Sequence, residues 1–138
     1  MVEITVYGTP GPQGSKRHVG NGVMIESSKK VKPWREAVVY AAREAMAGRP
    51  ALVGPIVLEM VFTLRKPVSA PKKRRIWAST KPDLSKLARS TEDALTTAGV
   101  YEDDARIIEY SRLAKVFPLE DPASLDVPGV RITVRGVE

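Results

Sequence analysis

Cysteine is absent from this chain of 138 residues, and histidine occurs once, at His18. The absence of thiols excludes disulfides, thiolate zinc sites and cysteine nucleophiles. A single histidine excludes metal sites built from paired imidazoles, including the HExxH motif. These absences remove many of the common catalytic and metal-binding motifs.

Long apolar runs and aromatic residues are also scarce. No run approaches the ~20 apolar residues of a membrane span, and the N-terminal stretch MVEITVYGTP lacks the pattern of a signal peptide. We therefore expect a soluble intracellular protein without a membrane partner. Aromatic residues make up 6% of the chain, which disfavours a protein that binds single strands by stacking bases.

Positive charge is present in excess, with 22 Lys and Arg against 16 Asp and Glu and a net charge of +6. This balance indicates an anionic partner, either nucleic acid or a membrane surface. With 43% hydrophobic and 28% charged residues, the composition is that of an ordinary globular protein. The length suits one core, and we predict a single domain over residues 1–138.

The spacing of apolar residues predicts an α+β fold. Strands are predicted where apolar residues alternate, and helices where they recur every three or four positions. The predicted elements are a strand at 2–7, a hairpin turn at Asn21-Gly22, a helix at 33–46, a strand at 56–64, a helix at 83–97, and strands at 107–117 and 130–135. This order predicts a small mixed sheet with two main helices packed on one face.

Residues 65–89 concentrate the positive charge, with nine basic residues and one acid, Asp83. The nine are Arg65, Lys66, Lys72, Lys73, Arg74, Arg75, Lys81, Lys86 and Arg89. A flexible polycationic loop suits phosphate backbones through counterion release, so nucleic acid is favoured over a merely solvated surface loop. We expect Trp77, which lies within this stretch, to anchor the loop rather than to stack on bases.

Three aspartates, Asp83, Asp103 and Asp104, lie in or near this basic stretch. Phosphodiester hydrolysis needs an activated water and neutralisation of charge at phosphorus, and carboxylates that hold Mg²⁺ supply both. The three acids converge only if the strand after the second helix runs back beside the start of that helix. The structural alternatives are an N-cap at Asp83 and an ordinary polar turn at Asp103-Asp104.

Two segments carry the pattern of a known family. One is PGPQGSKRH at 10–18, similar to a PxPxGxKR-type loop, and the other is KPDLSKLARSTEDALTTAGVYEDDARI at 81–107. The second is similar to a signature of a basic residue, DxDNLxK, DAL and a DD pair ahead of a strand. Both motifs, and the order of elements over nearly the whole chain, resemble the RusA family of Holliday junction resolvases, crossover-junction endodeoxyribonucleases common in phages and prophages.

Members of that family are Mg²⁺-dependent homodimers that nick two opposed strands of a four-way junction. The resemblance implies the same role here, in DNA recombination and repair, in the cytoplasm of a bacterium or a phage-infected host. It implies that Asp83, Asp103 and Asp104 bind the metal and act in catalysis, with Arg89 in the place of a catalytic lysine. The expected DNA-binding residues are Lys16, Arg17, Lys72, Lys73, Arg74, Arg75, Lys81 and Lys86.

Ser85 stands where the family has its second acid, and Lys86 replaces the asparagine of the signature. A serine hydroxyl can hydrogen-bond a metal-bound water but gives no charge to a cation. We place Ser85 in the metal site because it occupies the position of that acid, and the alternative is a first-turn surface residue that points away from the metal. For the whole protein the alternative is a junction-binding protein with weakened or lost catalysis. A third hypothesis is an RNA- or ribosome-associated domain. No small-molecule cofactor is expected. The strands at 56–64 and 130–134 are candidates to pair or pack at the dimer interface.

Overall fold

The computed structural model describes residues 1–14, 16–18, 24–26 and 29–137, with side chains for 1–14 and 29–137. The elements are β1 (Val2–Tyr7), β2 (Lys16–His18), β3 (Met24–Glu26), α1 (Val31–Met46), β4 (Ile56–Thr63), α2 (Leu84–Ala98), a short 3₁₀ turn (Asp104–Arg106), β5 (Ile107–Val116) and β6 (Gly129–Gly136). All the predicted helices and long strands are present, with ends shifted by one or two residues. The predicted turn at Asn21-Gly22 lies outside the described residues, between the antiparallel strands β2 and β3.

The main sheet has the strand order β1-β6-β4-β5. β4 and β5 are parallel, because α2 lies in the connection between them, and the other pairs are antiparallel. One row of paired residues crosses the sheet from Ile4 through Ile132 and Met60 to Leu113. The predicted mixed sheet and α+β fold are confirmed.

Both helices cover the face of the sheet that carries this row. Trp34 of α1 and Leu87 of α2 are buried in the same core cluster as Met60 and Ile132. The indole N–H of Trp34 donates to the Thr91 hydroxyl across 3.1 Å, which ties the two helices together. Along β1, exposed residues alternate with buried ones, so every second side chain points to the opposite face of the sheet, as expected for a half-buried strand.

The predicted interface strands are both interior. β4 pairs with β5 on one side and β6 on the other, and β6 pairs with β4 and β1. Residues 56–64 and 130–134 therefore have no free edge with which to pair with a second chain. Their packing at a dimer interface stays a prediction. The edges are β1 and β5, and the pairing of β5 with β4 is interrupted by two register shifts. Neither α1 nor α2 is long and apolar enough to cross a bilayer.

Candidate functional site

Helix α2 carries most of the candidate site residues. Asp83 is its N-cap, with an extended backbone at φ −68° and ψ 133°, and Gly99 ends it in the left-handed conformation. Ser85 and Arg89 are four residues apart, so they lie on one face of the helix, and both are exposed. Asp93 is four residues further along the same face. The helix therefore aligns a hydroxyl, a guanidinium and a carboxylate behind Asp83.

Asp83 faces a cleft that is rich in cations. Its carboxylate accepts no capping hydrogen bond from the first turn and lies 3.7 Å from the Lys86 ammonium. The cleft has a volume of about 570 Å³, and it is also lined by Lys29, Lys30, Arg65, Lys81 and Lys86. Asp83 thus occupies the N-cap position, as the structural alternative predicted, but its side chain does not cap the helix. We use the term cationic cleft for this group of five basic residues around Asp83.

Two members of the cationic cleft, Lys29 and Lys30, were not singled out from the sequence, and a third, Arg65, was counted in the basic stretch but not among the expected DNA-binding residues. Lys29 and Lys30 immediately precede α1, and Arg65 follows β4, so they reach the cleft from elements distant in sequence. Only the folded chain brings these residues beside Asp83. The approach to Asp83 is fixed from β5, where the Lys115 ammonium donates to the Thr80 and Pro82 carbonyls at 2.6 and 2.8 Å.

Asp103 and Asp104 form a hydrogen-bonded carboxyl pair at the 3₁₀ turn. Asp103 also accepts the Ala105 backbone N–H at 2.9 Å, and this bond is the main reason that the pKa of Asp103 is lowered. The pKa of Asp104 is raised, mainly by its hydrogen bond with Asp103, then by burial and by the charges of Asp93 and Asp103. Asp104 is therefore the more basic of the two carboxyls, and Asp103 is the more acidic.

Glu92 joins this carboxyl pair and was missed in the sequence. Its pKa is raised, mainly by burial and further by the charges of Asp104 and Asp93, against the effect of the hydrogen bond from the Tyr110 hydroxyl. Tyr110 projects from β5 onto α2, and its hydroxyl donates to the Glu92 carboxylate. Burial raises the pKa of Tyr110 well above its ordinary value, so the phenol stays a donor. We call Glu92, Asp93, Asp103 and Asp104 the acidic corner.

The loop PGPQG is bound along α2 and holds Asp93. The Gln13 side-chain amide donates to the Asp93 carboxylate at 2.6 Å, and the Gln13 backbone N–H donates to the Lys86 carbonyl at 3.0 Å. The Ser90 hydroxyl donates to the Gly11 carbonyl at 2.6 Å. The loop also lies very close to the start of α1, because a Cβ on Gly11 would be 2.3 Å from the Lys30 carbonyl oxygen.

The predicted metal ligands are not all brought together. Asp103 and Asp104 are adjacent, whereas Asp83 lies at the start of α2, nine residues or about 13 Å along the axis from Glu92. Across the described side chains, no three of Asp, Glu and His are grouped closely enough to hold a metal ion. In this arrangement the carboxylates do not complete a Mg²⁺ site. The metal-binding roles of Asp83, Asp103, Asp104 and Ser85 stay predictions.

The basic loop at 65–82 is anchored by the segment that follows β5. The Lys66 ammonium contacts the Glu120 carboxylate at 3.0 Å and the Arg74 carbonyl at 3.2 Å. The guanidinium of Arg112 holds Asp121 through two bonds, of 2.9 and 2.6 Å, and keeps the pKa of that carboxyl well below its usual range. These contacts hold the start of the loop and the Arg74 carbonyl, and the expected flexibility of the arm stays a prediction.

The predicted DNA-binding residues of the loop point to solvent. Lys72, Lys73, Arg74 and Arg75 are all exposed, as phosphate contact requires. Lys81 and Lys86 lie in the cationic cleft. The backbone of Lys16 and Arg17 forms β2, and their side chains lie outside the described part of the chain.

Trp77 does not anchor the loop. Its side chain is 70% exposed, and the Arg75 guanidinium lies 4.0 Å from the centre of its ring. The neighbouring Ile76 and Ala78 turn inward instead, Ile76 packing on the core and Ala78 lying within it. The expectation that Trp77 holds the loop is therefore wrong.

The fold, the cationic cleft and the acidic corner together define a protein that binds a polyanion and carries carboxylates beside it. The family model for endodeoxyribonuclease RusA matches residues 7–135, nearly the whole chain. The chain belongs to the RusA family of junction-resolving endodeoxyribonucleases, and membership of that family supports DNA as its partner. No curated protein matches it.

Proposed function

We propose that this chain is a structure-selective endodeoxyribonuclease that resolves four-way junctions by paired symmetric nicks, in DNA recombination and repair. The observation that carries the proposal is the cationic cleft, in which five basic residues line the same cavity as Asp83. Such a cleft attracts a phosphate backbone and keeps one carboxylate next to it. The basic loop extends this positive surface beyond the cleft, so an arm of a junction can lie across both.

The residues of the site divide between binding and chemistry. In the proposal, Lys81 and Lys86 of the cleft and Lys72 to Arg75 of the loop bind phosphates and set the register of the DNA. Arg89, exposed on the same face of α2 as Asp93, presents a forked donor to a phosphate near the acidic corner. The raised pKa of Asp104, caused mainly by its neighbour Asp103, gives that corner a carboxyl that takes up a proton more readily than an isolated aspartate.

A requirement for a divalent cation, Mg²⁺, is proposed from family membership. When bound, such an ion supplies charge neutralisation at phosphorus and an activated water. The described carboxylates do not complete its site, so the proposal specifies no ligand set beyond the predicted residues.

A homodimer is proposed because two symmetric nicks need two sites. The described part of one chain has one cationic cleft of this kind, and a twofold dimer would present two to the twofold symmetry of a junction. Light scattering with and without junction DNA tests this, and a protein that stays monomeric in both states would contradict it.

The test of the proposed activity is cleavage of a synthetic four-way junction against a linear duplex of the same sequence, with Mg²⁺ and with EDTA. We expect nicks in the junction only, and only with Mg²⁺. Asp83→Asn and Asp104→Asn should each abolish nicking while junction binding is kept, since the substitution removes charge and preserves shape. Asp126→Asn is the matched control, because Asp126 is an exposed aspartate in the loop before β6. Wild-type rates in both site variants would overturn the site assignment.

One observation favours a second candidate, a junction-binding protein without cleavage. Ser85 replaces a carboxylate of the family signature, and the described acids do not gather into a metal site. The same assay separates the candidates. Tight and selective junction binding with no nicking in Mg²⁺ would support the second.

A further inference from the structure

The most exposed apolar feature of the basic loop is the indole of Trp77. Trp77 is 70% exposed, whereas the second tryptophan, Trp34, is 2% exposed in the core. Ile76 and Ala78, on either side of Trp77, both point inward. The alternation along this segment therefore turns the ring outward, although the core lies directly beneath it.

The backbone on the N-terminal side of Trp77 is held in place. The Lys66 ammonium donates to the Arg74 carbonyl, and the Glu120 carboxylate accepts the Ile76 N–H at 3.3 Å. The same carboxylate oxygen of Glu120 binds Lys66 at 3.0 Å. The exposed ring thus stands on a fixed support, so a partner that covers it need not order a mobile loop first.

On the C-terminal side, the segment leads directly into the cationic cleft. Ala78 and Thr80 line the cleft together with Asp83. The Lys115 ammonium holds the Thr80 carbonyl at 2.6 Å, which fixes the path from Trp77 to the start of α2. Trp77 therefore lies six residues before Asp83 and is joined to it by a segment that lines the cleft.

The chemistry around the ring selects the class of partner. Arg75 covers the indole at 4.0 Å, and the exposed Lys72, Lys73 and Arg74 precede it in the loop. This positive charge attracts phosphate and disfavours a basic or apolar protein surface as the partner. A nucleobase attached to a phosphate backbone matches both the ring and the surrounding cations. The indole N–H of Trp77 donates to no described residue, so no internal hydrogen bond holds the ring against its own loop.

We propose that Trp77, supported by Arg75, is a stacking platform for a base that has left the duplex stack, at the branch point of junction DNA. The branch point as the source of that base rests on the proposed function. The stacking itself rests on the exposed ring, its fixed support and the cations beside it. Every base has a π-face, so the platform recognises an open structure and not a sequence.

The test compares binding of three DNA molecules by anisotropy: a four-way junction, a linear duplex of the same arm sequence and a single-stranded oligothymidylate. Trp77→Ala should weaken binding to the junction and to the oligothymidylate by about 5- to 150-fold, the range for loss of one stacked base. Duplex binding should be unchanged. Trp77→Phe keeps a stacking ring and should bind almost as wild type. Tyr40→Ala is the control for loss of an exposed ring, since Tyr40 is 68% exposed on α1, and it should have no effect.

Fluorescence supplies a second measurement. The chain has two tryptophans, so Trp77→Phe leaves only the buried Trp34. Oligothymidylate should quench the emission of the wild-type protein and leave the emission of Trp77→Phe unchanged.

The outcomes distinguish this inference from the proposed function. If the wild type nicks junctions but Trp77→Ala binds all three DNA molecules as wild type, the stacking platform is overturned and the nuclease stands. An equal loss on all three, duplex included, also overturns it, because the ring would then serve only to place Arg75 on the backbone. If the wild type neither prefers nor nicks junctions, yet oligothymidylate binding depends on Trp77, the proposed function fails and the platform is supported.

Discussion

Gly11 is the point at which the loop PGPQG touches the start of α1, and we expect Gly11→Ala to detach the loop. A Cβ at this position would lie 2.3 Å from the Lys30 carbonyl oxygen and 2.9 Å from the Val31 Cα. Both neighbours are backbone atoms, and ordinary contact begins at 3.4 Å, so one segment must move by about an ångström. Overpacking of this kind costs about 1–3 kcal/mol.

The movement also breaks a buried hydrogen bond. The Ser90 hydroxyl donates to the Gly11 carbonyl at 2.6 Å and has a second acceptor in the Leu87 carbonyl at 3.1 Å. Ser90 can therefore stay bonded, while the carbonyl of residue 11 loses its partner at a cost of about 1 kcal/mol. The sum is about 2–4 kcal/mol, which corresponds to a fall in Tm of about 6–16 °C for a chain of this size.

Thermal unfolding and amide hydrogen exchange measure the two parts of this prediction. Gly48→Ala is the matched control, because Gly48 has a φ of +78° and open space around the added methyl. An alanine at position 48 would be strained by the left-handed backbone conformation, at a cost of about 1–2 kcal/mol, but would clash with no neighbour. The backbone N–H of Gln13, which donates to the Lys86 carbonyl, should lose its protection from hydrogen exchange in Gly11→Ala and keep it in Gly48→Ala. If the Tm of Gly11→Ala falls no further than the Tm of Gly48→Ala, and the Gln13 N–H stays protected, the close backbone approach at Gly11 does not hold this loop.

Three further changes give separate expectations. Glu92→Gln should raise Tm at pH 7 and leave it unchanged near pH 3, measured in EDTA. Because the pKa of Glu92 is raised in the folded protein, its ionised form costs stability, and this cost grows as pH rises above the pKa of Glu92 in the unfolded chain. An equal gain in Tm at both pH values would contradict this. Lys73→Gln should weaken binding equally on junctions of any sequence and lower the log–log salt slope by about one, whereas a sequence-dependent loss would indicate base readout. Ser85→Asp should lower the Mg²⁺ concentration needed for nicking, and superimposable titrations of the two proteins would place Ser85 outside the metal site.

Local periodicity was sufficient to predict the elements of the fold. The strand predicted at 2–7 is β1, with strictly alternating burial, and the helix predicted at 83–97 is α2 to within one residue. Both signals arise from neighbours along the chain, which a sequence displays directly. The order of strands does not arise in this way. The interior position of β4 and β6 depends on pairing between distant segments, so the sequence could not show that neither strand has a free edge.

The candidate site shows the same division. Asp103 and Asp104 could be found from a motif, because the two acids are adjacent in sequence. Glu92 could not, because its environment depends on Tyr110, which arrives from β5. Trp77 was misassigned because large aromatic residues are usually buried, and only the anchoring of the segment on both sides of it shows which way its ring faces.

The charge distribution along α2 separates binding of DNA from its cleavage. The cationic cleft lies at the start of the helix and the acidic corner toward its far end, with Arg89 between them. A phosphate is attracted to the first and repelled by the second, because Glu92, Asp93 and the Asp103–Asp104 pair carry net negative charge at neutral pH. DNA can therefore bind through the cleft and the basic loop without a cation, whereas approach to the corner requires that its charge be neutralised. From this distribution we expect selective junction binding in EDTA, and nicking only when a divalent cation is added.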